Sequence, residues 1–260
     1  MHISFAKWHG TGNDFILVDD RAAQFPLHDL ALVRRLCDRH FGIGSDGLIL
    51  IQPPRAAGAH YHMEFFNPDG SQSFCGNGSR CAFAFWRGLV GDMDNARFTA
   101  IDGAHDAAQE GELVRVSLAP PKQVEHIADH IDFIHTGSPH LLVWVDDPET
   151  IDIIPEAHRY RYNERFKGEG VNVNFLRWND GRVDMRTYER GVEAETLSCG
   201  TGVTAAAIDA LHRKVVDGNT IHVRTRGGDL RVEVVMSGEQ IIGVYLIGPA
   251  QHIFSGTFSI

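Results

Sequence analysis

Short stretches in which apolar residues alternate with polar ones or run together recur along the chain, bounded by Gly, Pro, Asn and Asp. They are Asp14–Val18, Leu48–Ile51, His62–Phe66, Leu113–Leu118, His140–Val145, Val171–Leu176, Val183–Tyr188, Thr220–Arg224, Leu230–Val235 and Ile241–Ile247, and each predicts a β-strand. Helical periodicity is rarer. Leu27–His40 sets Leu30, Val33 and Cys37 on one face with Leu32 and Leu36 beside them, and Gly42 is placed to close it as the C′ residue. Two more helices are expected to begin at glycine-rich openings, one at Cys75-Gly-Asn-Gly-Ser-Arg-Cys81 and one at Cys199-Gly-Thr-Gly-Val203. The stretch 240–260 carries no Asp, Glu, Lys or Arg, yet Gly243, Gly248, Pro249 and Gly256 break it into two closing strands rather than a membrane anchor. The pattern is α+β (mixed α/β), with strands outnumbering helices.

The chain also repeats itself. His9-Gly-Thr-Gly-Asn-Asp-Phe-Ile-Leu-Val-Asp-Asp20 returns more loosely as His135-Thr-Gly-Ser-Pro-His-Leu-Leu-Val-Trp-Val-Asp-Asp147. Met63-Glu-Phe-Phe-Asn-Pro-Asp-Gly70 answers Met185-Arg-Thr-Tyr-Glu-Arg-Gly191, and the two Cys-Gly-x-Gly openings lie 124 residues apart. A period this long exceeds the ~20–50 residues of a solenoid unit and predicts two similar duplicated domains, with a boundary near Leu118–Val124 at Pro120-Pro121.

Composition narrows the function classes. Of 260 residues, 43% are hydrophobic and 22% charged, which suits a folded globular chain. Twenty-four Lys and Arg against 34 Asp and Glu leave a net charge of −10, which disfavours nucleic acid and anionic membranes as partners. Four cysteines, at 37, 75, 81 and 199, are too few and too scattered for a secreted disulfide framework, and the N-terminal stretch has no signal-peptide pattern. A cytoplasmic protein with reduced thiols is expected. The fifteen histidines form no zinc motif.

A cysteine at a strand-to-helix turn followed by Gly-x-Gly lies where unpaired N–H groups and the positive end of the helix dipole converge. That field favours thiolate and can also grip a substrate carboxylate. If the duplicated halves face each other, one thiolate can remove a Cα proton while the opposite thiol delivers one, inverting a stereocentre without metal or pyridoxal phosphate. Cys37, on an apolar helix face, and Cys81 read instead as inert small hydrophobes.

Over its whole length the chain resembles the diaminopimelate epimerase family. The motifs that carry the resemblance are Lys7-Trp-His-Gly-Thr-Gly-Asn-Asp-Phe15, Phe66-Asn-Pro-Asp-Gly70, Cys75-Gly-Asn-Gly-Ser-Arg-Cys81, Asn172-Val-Asn-Phe175, Tyr188-Glu-Arg-Gly191 and Glu195-Thr-Leu-Ser-Cys-Gly-Thr-Gly202. It implies two similar domains, 1–119 joined by a returning last strand at 251–260 and 120–250, each a curved mixed sheet around a central helix, with a substrate cleft between them. It also implies a cofactor-independent epimerase that interconverts LL- and meso-diaminopimelate in lysine and peptidoglycan-precursor synthesis, and a homodimer.

Carried over by motif, Cys75 and Cys199 resemble the acid/base pair, and Gly76, Asn77, Gly200 and Thr201 the donors to the reacting carboxylate. Glu189 resembles the residue that helps hold the reacting ammonium. Arg190, Asn67 and Asn172 resemble those that grip the distal amino-carboxylate end, and Asn13 lies in the first-domain cleft motif. His140 aligns with the His of a Gly-Asn-Pro-His motif that here reads Gly137-Ser-Pro-His140, so the shorter Ser138 replaces Asn; Gly47 stands where some members carry Gln. Proline racemase and hydroxyproline epimerase share the two-thiol logic, but their substrates have no use for a distal-end set. A phenazine-type isomerase could share the duplicated fold without needing both cysteines. A non-catalytic carboxylate-binding protein is the alternative outside enzymes, because helix N-termini bind anions without chemistry.

Overall fold

The apolar runs become strands at nearly the expected bounds in a computed structural model that describes residues 2–91, 93–121 and 123–259. The first half contains β1 (His2–Gly10), β2 (Asn13–Asp19), α1 (Leu30–Cys37), β3 (Gly47–Gln52), β4 (Tyr61–Phe66), α2 (Gly76–Val90), β5 (Asn95–Ala100), β6 (Gly103–Glu110) and β7 (Leu113–Leu118). The second half opens with β8 (Val124–Ala128), β9 (Ile131–His135), β10 (Pro139–Trp144), a 3-10 turn (Pro148–Thr150), α3 (Ile153–Arg161), β11 (Asn172–Asn179), β12 (Arg182–Glu189) and β13 (Ala194–Thr196). It continues with α4 (Gly200–His212), β14 (Thr220–Thr225), β15 (Gly228–Ser237) and β16 (Gln240–Gly248), and the chain ends in β17 (Gln251–Ser259). Two compact units result: Met1–Ser117 with Gly248–Ile260, and Leu118–Ile247.

The repeat in sequence is a repeat in strand pairing. In the first unit β1 pairs antiparallel with β2, β2 parallel with β3, β3 antiparallel with β4, β4 parallel with β5, and β5 antiparallel with β6. In the second, β9–β10, β10–β11, β11–β12, β12–β14 and β14–β15 follow the same order of antiparallel and parallel pairs. The registers also correspond: Phe15 lies opposite Gly47 and Ile49 opposite Phe65, just as His140 lies opposite Asn172 and Asn174 opposite Thr187. β17 returns to pair antiparallel with β1, Phe5 opposite Gly256.

Each unit is built around one helix. α2 packs against β1, β2, β3, β4 and β6, and α4 against strands β9 to β12, β14 and β15. A helix surrounded by strands must be apolar or small all round. In α4 every residue from Gly200 to Ala210 is buried, and its Ala205-Ala-Ala207 run lets the strands approach closely. Around α2 the core is aromatic: Tyr61 stacks on Phe98 with ring centroids 5.1 Å apart, and Phe83 and Trp86 join the same cluster.

α1 is shorter than the expected 27–40. Asp29 caps it by accepting the Leu32 N–H at 2.9 Å, and it stops at Cys37 because Asp38 turns extended and takes the His40 and Phe41 N–H groups on its carboxylate. Gly42 is therefore not the C′ residue; a Cβ there would lie 1.9 Å from the Arg35 carbonyl oxygen, so glycine is required by close approach. α3 was not expected, since only Ile153 and Ala157 of its nine residues are buried and no apolar stripe announces it. β1, β5, β6, β8, β9 and β13 also escape the apolar pattern; β5, for instance, buries only Ala96, Phe98 and Ala100.

Candidate active site

Cys75 is the N-cap of α2 and Cys199 the N-cap of α4, both in extended conformation. The cause is local. β-region backbone at the cap turns the chain from loop to helix over the small Gly76-Asn-Gly78 and Gly200-Thr-Gly202 turns, and in the first of them the Gly78 N–H points back toward the sulfur.

In the first unit, Cys75 Sγ accepts the Gly78 backbone N–H at 3.3 Å. Asn13 Oδ1 lies 3.8 Å from the same sulfur and accepts Asn77 Nδ2 at 3.3 Å. Asn13 is itself anchored, since its Nδ2 donates to Asp46 Oδ2 at 2.7 Å, and Arg39 Nη2 bridges Asp46 and Asp14 at 2.6 and 2.7 Å. Lys7, buried beneath this network, contacts Asp14 and the Gly44 carbonyl. These two cations hold the Asp14 carboxyl below the usual carboxylate range although burial pulls it the other way. Cys75, Gly76, Asn77 and Asn13 are thus brought together. Asn67 is engaged in a turn, its Nδ2 donating to Ser71 Oγ at 3.1 Å and Ser73 Oγ at 3.2 Å, two residues before Cys75.

One residue there was not singled out from sequence. Arg80, fully buried one turn into α2, donates to Asn77 Oδ1 at 2.9 Å, to the Pro249 carbonyl at 3.3 Å and to Thr11 Oγ1 at 3.5 Å. Burial pulls its guanidinium down to about 10, while the neighbouring cysteine sulfurs favour the charged form. A cation among neutral acceptors beside Cys75 makes this helix start attractive to anions. An arginine directly after the Gly-Asn-Gly-Ser opening, on a helix whose first two turns are otherwise buried, is the sequence signal that could have marked it.

In the second unit, Cys199 Sγ lies 3.5 Å from Thr201 Oγ1, and His140 Nε2 lies 2.9 Å from that hydroxyl. The Thr201 carbonyl accepts Thr136 Oγ1 at 2.8 Å. His140 is fully buried, and burial together with the positive field of His135 and Arg190 pushes its imidazole down to about 3, so the ring is neutral. Both ring nitrogens are engaged within the protein, Nδ1 by Asn174 Nδ2 at 3.3 Å. Cys199, Gly200, Thr201 and His140 therefore form one group. Asn172 and Arg190 form a second, the Asn172 Oδ1 accepting the Arg190 backbone N–H at 3.0 Å and Arg190 Nη1 donating to the Glu169 carbonyl at 2.7 Å. Glu189 Oε2 accepts Thr196 Oγ1 at 2.9 Å, three residues before Cys199.

The other two thiols differ in kind. Burial pushes Cys81 up to about 12, and it also raises Cys37, whose sulfur lies 3.4 Å from Ser45 Oγ. Both are held as thiols inside apolar packing. Among the described residues no group of three or more His, Cys, Asp or Glu is placed to hold a metal ion. A cavity of about 370 Å³ in the second unit, lined by Arg177, Arg182, Arg224, Arg226 and Asp184 among others, includes neither cysteine.

The sequence matches the family model described as Diaminopimelate epimerase over residues 5–106 and 133–253. The chain belongs to the diaminopimelate epimerase family. Among relatives bearing that name, the one from Flavobacterium psychrophilum is 39% identical over 254 residues, spanning 96% of this chain and 98% of its own length. The diaminopimelate epimerase of Aquifex aeolicus is also 39% identical, over 277 residues, spanning 99% and 98%.

Beyond the diaminopimelate epimerase family, the fold is shared with more distant structures. A hydroxyproline epimerase from Agrobacterium vitis superposes with a TM-score of 0.74 at 16% identity, covering 98% of this chain and 92% of that one. A Bacillus anthracis phenazine biosynthesis protein of the PhzF family gives 0.73 at 15% identity, with both chains covered in full. These likenesses show the mixed α/β fold alone. No helix among the described residues is long and apolar enough to cross a membrane.

Proposed function

We propose that this chain interconverts LL- and meso-diaminopimelate by proton transfer between two cysteines. The observation that carries the reading is the cysteine N-cap repeated at the buried helix of both units, in a chain of this family. One sulfur, as thiolate, takes the Cα proton and becomes a thiol. The electron pair left on Cα is delocalised into the α-carboxylate, whose oxygens the N–H groups at Gly76, Asn77, Gly200 and Thr201 are suited to receive. The other sulfur, as thiol, gives its proton to the opposite face of Cα and is left as thiolate. Nothing else is consumed, so the reverse reaction starts from the product state.

The surroundings suggest starting roles. Cys75 faces the Asn13 carbonyl oxygen, an acceptor suited to an S–H, whereas Cys199 has the Thr201 hydroxyl beside it, which can donate to a thiolate. Glu189 is assigned to the reacting ammonium. Asn67, Asn172 and Arg190 are assigned to the distal amino-carboxylate end, with Asn172 holding the backbone that presents Arg190. Family likeness also supports a cytoplasmic homodimer, which light scattering of the purified protein checks.

Incubation of LL-diaminopimelate with the protein in deuterium oxide, without added metal or pyridoxal phosphate, should yield the meso isomer with deuterium at Cα. A non-catalytic binder would leave the Cα proton in place. Faster turnover of proline or hydroxyproline than of diaminopimelate would replace this reading with a racemase of single-ended substrates.

A further inference from the structure

The duplicated fold supplies its own control. By strand register, Phe15, Ile49 and Phe65 of the first unit correspond to His140, Asn174 and Thr187 of the second. All six are buried. In the first unit the three belong to the apolar core, with the Phe15 and Phe65 rings edge to face at 6.1 Å. In the second they are polar and bonded in series: Thr187 Oγ1 donates to Asn174 Oδ1 at 3.0 Å, and Asn174 Nδ2 reaches His140 Nδ1 at 3.3 Å. The fold is therefore satisfied by hydrocarbon at these positions. Burying three polar side chains instead costs desolvation that only full pairing offsets.

The direction of each bond in the series is fixed. Asn174 Nδ2 also donates to the Leu141 carbonyl at 3.0 Å, and a carbonyl can only accept, so the amide nitrogen is on that side. His140 Nδ1 must then accept, and the proton of the neutral ring sits on Nε2, from which it is donated to Thr201 Oγ1. Either atom of the 3.5 Å contact between Thr201 Oγ1 and Cys199 Sγ can donate while the sulfur is a thiol, but a Cys199 thiolate can only accept, and the Thr201 hydroxyl, held from its other side by His140, is then the donor.

The second glycine of each Cys-Gly-x-Gly turn presses on the same register position. A Cβ at Gly78 would meet Ile49 Cδ1 at 3.0 Å, and one at Gly202 would meet Asn174 Oδ1 at 2.8 Å and His140 Cε1 at 3.2 Å. In the second unit that close approach brings the polar series against the first turn of α4.

We propose that Thr187 and Asn174 are positioning residues, which lock His140 in its Nε2–H tautomer so that the Thr201 hydroxyl is a committed donor to the Cys199 thiolate. This rests on the assignment of Cys199 as an acid/base group. The titratable or charged groups around the series are His135 on β9 and Arg190 after β12, both acting on His140, and Glu189 at the end of β12. None of them is in the bonded series.

The test has two arms. In the wild-type protein, long-range proton–nitrogen NMR of the His140 ring, assigned from its own backbone resonances, should show a neutral Nε2–H ring with a bare Nδ1 across pH 6–9. Thr187→Val, nearly isosteric, should lower kcat by about tenfold with KM within about twofold, since the lost contact serves a charge rather than substrate binding. Thr187→Ser, which keeps the hydroxyl, should restore the rate. In a Cys75→Ala background, Thr187→Val and Asn174→Leu should move the pH midpoint of Cys199 alkylation upward by about one unit. A ring protonated at Nδ1, or a folded Thr187→Val protein with wild-type kcat and an unmoved midpoint, would overturn the proposal. Should a variant fail to fold, the wild-type ring spectrum still decides. If the wild type does not epimerise diaminopimelate while the alkylation midpoint shifts as stated, the functional reading fails and this one stands.

Discussion

Arg80 Nη1 donates to Asn77 Oδ1 at 2.9 Å, which turns the Asn77 amide nitrogen toward Asn13 Oδ1 beside Cys75. A buried guanidinium thereby sets the orientation of two asparagines at the helix start that carries Cys75. Arg80→Lys keeps the charge but loses the planar fork that reaches three acceptors at once. Epimerase assays should register a fall in kcat/KM of about tenfold or more, corresponding to ~1.4 kcal/mol or more of lost transition-state stabilisation. Undiminished activity would mean the fork does not orient the site.

The four cysteines should separate cleanly. Cys75→Ala and Cys199→Ala should each abolish epimerisation while circular dichroism reports a native fold. Cys37→Ala and Cys81→Ala should keep the activity and lose on the order of 1 kcal/mol of stability, because each removes one sulfur from a filled core. Near wild-type turnover by either of the first pair would refute the two-base assignment.

Arg190→Lys should weaken diaminopimelate turnover and Arg190→Ala should weaken it further, by ~2–5 kcal/mol in kcat/KM if the distal carboxylate loses its main partner. Asn172→Ala should follow the same direction, since the Asn172 side chain accepts the Arg190 backbone N–H. Proline should remain a non-substrate of all three variants. An Arg190→Ala enzyme with full activity would return Arg190 to the role of a surface charge.

The glycines of the two turns should respond unequally to alanine. At Gly78 the added methyl meets the flexible end of Ile49 at 3.0 Å, which can rotate away. At Gly202 it meets Asn174 Oδ1 at 2.8 Å, in a bonded amide that cannot move without breaking its contacts. Gly202→Ala should therefore cost more stability, within the ~1–3 kcal/mol range of overpacked cores, and more activity. Equal melting temperatures for the two variants would contradict this.

Stability should fall on the alkaline side through Asp209. Burial, and then the neighbouring Asp132 carboxylate, push the Asp209 carboxyl up to about 7, while Trp144 Nε1 donates to it at 2.6 Å. Its folded-state value lies above the ordinary 3.8, so the folded chain binds this proton more tightly. The stabilisation is complete below the unfolded value and is lost as pH rises toward and through 7. Thermal melts from pH 5 to 8 should show a decline that Asp209→Asn flattens; an identical decline in the variant would assign the effect elsewhere. At the acid end the opposite sign holds for Glu193, which Arg161 and the Gly191 N–H bring down to about 2. That contribution is present above about 4.5 and is lost as pH falls toward 2.

The sequence by itself determined the family, the mixed α/β class, the duplication and the placing of two cysteines at helix starts, because these are written in short local patterns. A strand buried on one or both faces must show its apolar run, and a Cys-Gly-x-Gly helix start needs its small residues next to one another. Helix α1 was legible, but its end at Cys37 was set by the Asp38 side chain competing for backbone N–H groups. Strands such as β5, with three buried residues, and helix α3, with two, carried too little apolar signal to be seen. What tertiary structure alone decided is which polar residues are gathered around the sulfurs. Arg80 reads in sequence as one charge in a helix, and Asn174 and Thr187 as ordinary strand residues. Only strand register lays Asn174 across from Thr187 and brings both to His140 and the first turn of α4. Hydrogen bonds between residues distant in the chain depend on ångström-scale placement by packing, and no local pattern of residue types encodes that.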